Sequence, residues 1–191
     1  MSGSGAKAVV IGASAGAVEA LSTILPLLPA SYALPIMIVV HVPANKGSVL
    51  ADMFSTKCAL TVCEAQDKQP IAAGTVYFAP ADYHLLVEED GLLSLSNEEP
   101  VHYSRPSIDV LFESAADAYG PHLIAVVLTG ASQDGAKGLA AVAEAGGEII
   151  VQDPRRAFAR AMPEAALAER PDARILSLEQ IADYLRGVGT S

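Results

Sequence analysis

Residues 8–21, AVVIGASAGAVEAL, constrain the fold more than any other stretch of this chain. Val9-Val10-Ile11 has the unbroken apolar character of a strand covered on both faces, which is the pattern of a parallel sheet. A sharp turn through Gly12-Ala13-Ser14-Ala15-Gly16 follows. Val18, Leu21, Leu25 and Leu28 then recur at helical spacing, giving a helix one face to lay on the sheet. The turn spells G-x-S-x-G, with Ser14 where a strand hands over to a helix. That is the setting of a nucleophile elbow, in which a tight turn exposes a hydroxyl and small neighbours leave room for a substrate. N–H groups of the helix's first turn point the same way and could meet an oxyanion. Two other readings fit the same residues: a small-residue turn that only packs helix on sheet, or a phosphate loop.

The rhythm set by that stretch continues. The expected elements are strand 7–11, helix 15–27 (ended by Pro26 and Pro29), strand 36–40 running into His41-Val42-Pro43, helix 46–57 and strand 60–64. Strands alternating with helices over short connections imply parallel pairing in a doubly wound sheet. Residues 70–97 step too quickly for crossover helices. Val76-Tyr77-Phe78, Leu85-Leu86-Val87 and Leu92-Leu93-Ser94-Leu95 read as short strands, with Asp90-Gly91 as a hairpin turn. A small antiparallel excursion at one sheet edge is expected there. Helix 106–119 then starts at Pro106. Strand 123–128, helix 136–145, strand 148–152, helix 163–169, strand 174–176 and helix 178–186 complete an α/β chain. One domain over 1–191 is expected, with 1–6 as a flexible lead.

Composition narrows the function classes. Of the 191 residues, 51% are hydrophobic and 18% charged, which suits a globular core rather than a disordered chain. The apolar run at 36–40 is far too short to span a bilayer, and MSGSGAK lacks the apolar segment of a signal peptide. A cytoplasmic location without membrane insertion is the expectation. A formal net charge of -10 leaves no basic stripe to neutralise phosphates, so nucleic acid is not an expected partner. Cys58 and Cys63 would face opposite sides if they shared a strand, so buried free thiols are expected rather than a disulfide or a zinc site.

Three polar residues fall at strand ends. Ser14 follows the first strand, His41 the second, and Asp134 lies in the loop after the long apolar strand 123–128. In an open parallel sheet these ends share one edge, where ligands bind. Serine, histidine and aspartate at one edge are the parts of a nucleophile–base–orienter relay. Each also has a plainer role: His41 as a half-buried strand-end histidine, Asp134 as a helix N-cap ahead of Gly135. His84 could line the cleft or lie at the surface. His102 and His122 read as loop residues without chemistry. Arg105 could meet a substrate carboxylate or be a solvated charge, Asp109 favours its helix dipole, Asp153 and Arg155-Arg156 read as a surface loop, and Met162-Pro163-Glu164 as a helix start.

Several separated blocks resemble the chemotaxis receptor methylesterases, the catalytic domain of the CheB family. They are VVIGASAGAVEAL, IVVHVP at 38–43, GTVYFAPADYHL at 74–85, SRPSIDVLFESAA at 104–116, VVLTGASQDGAKGL at 126–139, AGGEIIVQD at 145–153 and AMPEAAL at 161–167. The resemblance implies a Rossmann-like, mostly parallel α/β domain in which Ser14 matches the nucleophile, His41 the base and Asp134 the orienting acid. It implies hydrolysis of γ-glutamyl methyl esters on cytoplasmic helices of methylated chemoreceptors, with methanol released. In many members it also implies deamidation of receptor glutamines. No metal or organic cofactor is implied. The family usually has Ser-Thr-Gly-Gly where this chain has Ser14-Ala15-Gly16-Ala17, and Leu-Thr-Gly-Met-Gly where it has Leu128-Thr129-Gly130-Ala131-Ser132. Those departures bear on efficiency and substrate more than on fold. Members commonly carry a receiver domain ahead of the esterase, and here the catalytic block begins within the first ten residues. A stand-alone form controlled by a separate receiver or histidine-kinase protein, or a fragment, are the two expectations. Two rival functions are a methylesterase-like signalling and binding module, motivated by the altered flanks, and a nucleotide-binding domain, for which the G-x-G-x-x-G spacing is missing.

Overall fold

The computed structural model describes residues 5–42 and 49–190, so the start of the expected helix 46–57, Pro43 and most of the lead 1–6 lie outside the described residues. Seven strands form one parallel sheet. They are β1 (Ala8–Ala13), β2 (Ile36–Val40), β3 (Thr61–Glu64), β4 (Thr75–Phe78), β7 (Leu123–Val127), β8 (Glu148–Gln152) and β9 (Arg174–Leu176), in the order β3-β4-β2-β1-β7-β8-β9. A two-stranded antiparallel hairpin, β5 (His84–Val87) with β6 (Leu93–Ser96), stands apart from that sheet. The helices are α1 (Ala17–Ile24), α2 (Val49–Ser55), α3 (Ile108–Tyr119), α4 (Ala136–Glu144), α5 (Ala161–Glu169) and α6 (Leu178–Gly189).

Alternation along the strands divides the core into two layers. Val9, Ile11, Ile36, Ile38, Ile124 and Val126 face the side covered by α1, α2 and α6. Val10, Met37, Val39, Tyr77, Ala125 and Val127 face the side covered by α3, α4 and α5. Both faces are buried, which explains why these strands are apolar throughout. Among the described residues no helix is long and apolar enough to cross a membrane.

The structure corrects several expectations. Residues 76–78 belong to the main sheet, paired in parallel with both β2 and β3, and only β5 and β6 make the antiparallel excursion. The ten residues 65–74 that join β3 to β4 contain no helix. The Tyr77 hydroxyl pins this loop instead, accepting from Ala72 N–H at 2.7 Å and donating to Pro70 O at 3.2 Å. The hairpin lies on α3, where Ser114 Oγ accepts the Val87 N–H at 3.0 Å. β1 continues through Gly12 and Ala13, so the elbow is only Ser14-Ala15-Gly16. α3 begins after Ser107, whose side chain accepts from Val110 N–H, so Pro106 lies outside the helix. Cys58 and Cys63 are free and half-buried rather than buried, and Cys58 precedes β3 rather than sharing it.

Gly12 is where sheet and helix come closest. A Cβ there would stand 2.4 Å from Ile108 Cγ2 and 2.9 Å from Cδ1. Ile108 is fully buried at the first turn of α3, so it has no free space to yield. Gly12→Ala is expected to cost about 1–3 kcal/mol by overpacking, read as a lower urea unfolding midpoint. An unchanged midpoint would mean that α3 can shift freely.

Candidate active site

Chain direction at the centre of the sheet sets the site. The connection leaving β1 runs to β2 on one side, and the one leaving β7 runs to β8 on the other. β1 and β7 are neighbours, so a crevice opens beyond their carboxyl ends. Ser14 follows β1, His41 follows β2, and the loop 128–135 follows β7.

Register brings the serine and histidine together. Ala13 pairs with Val40, and His41 N–H donates to Ala13 O at 3.2 Å, so Ser14 and His41 take the next positions on adjacent strands. Both line a cavity of about 360 Å³ together with Gly16, Val18, Val42 and Phe158. Among the described residues Ser14 Oγ makes no hydrogen bond. A larger depression of about 600 Å³ lies along Glu88, Glu89, Asp90, Ser114 and Asp117, but among the described residues it has neither histidine nor cysteine in its wall.

Asp134 is wholly buried behind His41. Its Oδ2 lies 2.8 Å from His41 Nε2 and accepts the Ile108 N–H at 2.6 Å. Its Oδ1 accepts from Ser107 Oγ and the Asp109 N–H, each at 3.0 Å. The carboxylate thus sits on the N-terminus of α3, where the helix dipole favours negative charge. Burial alone would raise its pKa, but the bonds from His41, Ile108 and Asp109 outweigh that and hold it below the ordinary carboxylate range. An ionised carboxylate only accepts, so His41 Nε2 carries the proton of that bond and Nδ1 is left as the basic nitrogen.

Asp109 makes the converse contact. Its Oδ1 accepts from Gly135 N–H at 3.0 Å and Gly138 N–H at 2.7 Å, at the start of α4. Each of the two acids therefore caps the helix that the other's segment leads into. Burial raises the Asp109 pKa and the nearby Asp134 charge adds to it, against the N–H donors of Gly138 and Gly135.

The elbow is tied from the other side by residues that sequence reasoning passed over. Ser14 N–H donates to Thr129 O at 2.9 Å, and Ala17 N–H to Ser14 O at 2.9 Å. Thr129 Oγ1 donates to Ala15 O at 2.9 Å and accepts from Ala159 N–H at 2.9 Å. Buried Gln152 accepts the Thr129 N–H at 2.9 Å. The N–H groups of Ala15, Gly16 and Ala131 have no acceptor among the described residues, and the first two border the serine. Gly16 holds φ +86°, and a Cβ there would meet Phe158 Cβ at 2.8 Å.

The remaining candidates take structural places. His84 is buried, away from both cleft and surface: Ser107 N–H donates to its Nδ1 at 3.1 Å, so Nε2 carries the proton given to Glu99 O at 3.0 Å. Arg105 is engaged within the chain, through Asp82 at 2.7 Å and the carbonyls of Asn97 and Glu98. His122 Nδ1 meets Gly5 O at 2.7 Å. Asp153 caps its turn through Arg155 N–H at 3.0 Å. Met162 is buried beneath Gly130, and its N–H donates to Gly130 O at 2.9 Å, inside a helix that begins at Ala161. The Ser107 cap was open to notice, since a serine following Pro106 and preceding Ile108 is a helix-start signal. The Thr129–Gln152 tie carries no comparable signal.

Among the described residues no group of three or more His, Cys, Asp and Glu side chains could hold a metal ion. The family model described as CheB methylesterase matches residues 9–185. A protein of Leptospira interrogans is 46% identical over 177 residues, covering 93% of this chain and 92% of that one. Relatives named protein-glutamate methylesterase/protein-glutamine glutaminase include one from Symbiobacterium thermophilum, 37% identical over 96% of this chain, and a second from Caulobacter vibrioides, 38% identical over 94% of it. This chain spans about half the length of those two, 51% and 53%. The crystal structure of the Thermotoga maritima CheB methylesterase catalytic domain superposes with a TM-score of 0.91 at 34% identity, covering 95% of this chain and 97% of that one.

Proposed function

The chain belongs to the CheB methylesterase family, and on that ground we propose that it hydrolyses γ-methyl esters of glutamate side chains with Ser14 as nucleophile, His41 as base and Asp134 as orienting acid. One observation supports the assignment of roles: Ser14 and His41 stand at matching positions just past the ends of adjacent strands, with His41 Nε2 held on a buried carboxylate. Asp134 keeps the imidazole in the tautomer whose Nδ1 can accept a proton. His41 Nδ1 takes the Ser14 Oγ proton as Oγ bonds to the ester carbonyl carbon. The carbonyl oxygen becomes an oxyanion near the N–H groups of Ala15 and Gly16. When the tetrahedral centre collapses, the C–O bond to the methoxy group breaks, and the histidine's proton leaves with it as methanol. Water, deprotonated by His41, then attacks the acyl-serine and releases a glutamate carboxylate and free Ser14. The same steps on a glutamine carboxamide release ammonia, which supports deamidation as a second outcome of one site.

The substrate in this reading is the methylated cytoplasmic helix of a chemoreceptor, met in the cytoplasm. In this reading the chain acts as one methylesterase unit, with a receiver or histidine-kinase protein as its regulatory partner. Incubating the chain with a methylated receptor cytoplasmic fragment is expected to release methanol catalytically. Release no faster than in buffer overturns the esterase reading and favours a binding module.

A further inference from the structure

A second depression, of about 310 Å³, adjoins the first and shares His41 and Val42 with it; among the described residues the rest of its wall is Tyr103, Ser104, Arg105 and Pro106. Tyr103 is fully exposed, a rare state for so large a ring. It is nevertheless held firmly. Val101 and Ser104 exchange two backbone hydrogen bonds, 3.0 and 2.9 Å, closing a two-residue turn. His102 has φ +49° and Tyr103 φ +63°, so both central residues are left-handed. That turn ordinarily takes glycine, asparagine or aspartate. A bulky residue there is uncommon and invites a functional reason. The turn is braced on both sides: His102 Nε2 lies 3.7 Å from Asp109 Oδ2, and Arg105 is clamped to Asp82 and to two carbonyls. The fold thus fixes the backbone of Tyr103 and leaves its ring bare beside the histidine.

We propose that Tyr103 forms a second subsite, which grips the substrate side chain one helical turn from the glutamate being hydrolysed. This rests on the esterase reading of the adjoining cavity. On a helical substrate, residues three or four positions apart have Cβ atoms about 5–6 Å apart. The two depressions share His41 and Val42, so a substrate whose ester enters the Ser14 cavity presents such a neighbour toward the second. The ring meets it on a backbone already ordered, so little freedom is lost on contact. Tyr103 sets which glutamates on a receptor are accepted and takes no part in the bond changes.

Steady-state methanol release from a methylated receptor cytoplasmic fragment tests this, with N-acetyl-glutamate γ-methyl ester α-amide as the short comparison substrate. Tyr103→Asn removes the ring but suits a left-handed turn. It is expected to raise KM for the receptor fragment about tenfold, and to lower the preference for fragment over short ester, in kcat/KM, by about the same factor. Tyr103→Phe keeps the ring and is expected to restore both values to within about twofold. An unchanged KM in Tyr103→Asn overturns the subsite while leaving the esterase reading in place. An equal fall on both substrates also overturns it, because the ring would then be supporting His41. No methanol from the parent chain on either substrate overturns the esterase reading and the subsite together.

Discussion

Ser14→Ala is expected to lower methanol release by about 10⁴-fold or more while moving the unfolding free energy by less than about 0.5 kcal/mol. The two halves of that expectation come from different atoms of one residue. The Ser14 backbone is engaged, with its N–H on Thr129 O and its carbonyl on the Ala17 N–H. The hydroxyl has no hydrogen bond among the described residues, so alanine leaves the turn's ties intact. Thr129 and Gln152 hold the elbow in either chain. The chemistry has no such reserve, because an oxyanion pocket without its nucleophile retains only a residual acceleration over water. Methanol release and urea denaturation on the same preparations check both parts. A variant keeping more than about one hundredth of the parent rate removes Ser14 from the nucleophile's place. A large loss of stability would show the hydroxyl to be structural.

Much of this site was legible because strand ends are legible. Apolar runs such as 9–11, 36–40 and 123–127 mark buried parallel strands, and their carboxyl ends fall on one edge whatever the details of packing. Ser14, His41 and Asp134 could therefore be drawn together from position alone. β4 was misplaced for a physical reason. A crossover without a helix has no periodic signal, and what replaces the helix is a loop pinned by one tyrosine hydroxyl. Arg105 and His84 differ from the reading of their local sequence because their partners lie between 7 and 23 residues away, where no local pattern points. Asp109 fits its own helix's first turn, so its hold on α4, 26 and 29 residues further on, has no trace in local sequence. The two left-handed residues at 102 and 103 lack the glycine or asparagine that ordinarily announces such a turn.

Asp134→Asn is expected to lower kcat by about 10⁴-fold, since an amide in place of the carboxylate favours the wrong imidazole tautomer. Asp134→Ala goes further. It leaves the N–H groups of Ile108 and Asp109, the Ser107 hydroxyl and His41 Nε2 without their acceptor in a buried place, and is expected to cost about 3–5 kcal/mol of stability. pH separates the electrostatic part from packing. The folded pKa of Asp134 is depressed, so its stabilisation is present above the unfolded value of about 3.9 and is lost as pH falls through the folded pKa. Asp109 has the opposite sign. Its folded pKa is raised, so below about pH 3.9 it has no charge to bury, and it subtracts stability as pH rises through the folded value. Asparagine at 109 still offers one oxygen to the Gly135 and Gly138 N–H groups and does not titrate. Relative to the parent chain, Asp134→Asn should therefore lose stability as pH is raised toward about 4 from below, and Asp109→Asn should gain it as pH is raised above about 4. Urea unfolding at stepped pH reads both slopes. Slopes of the same sign would mean that the two acids do not differ as their opposed caps require.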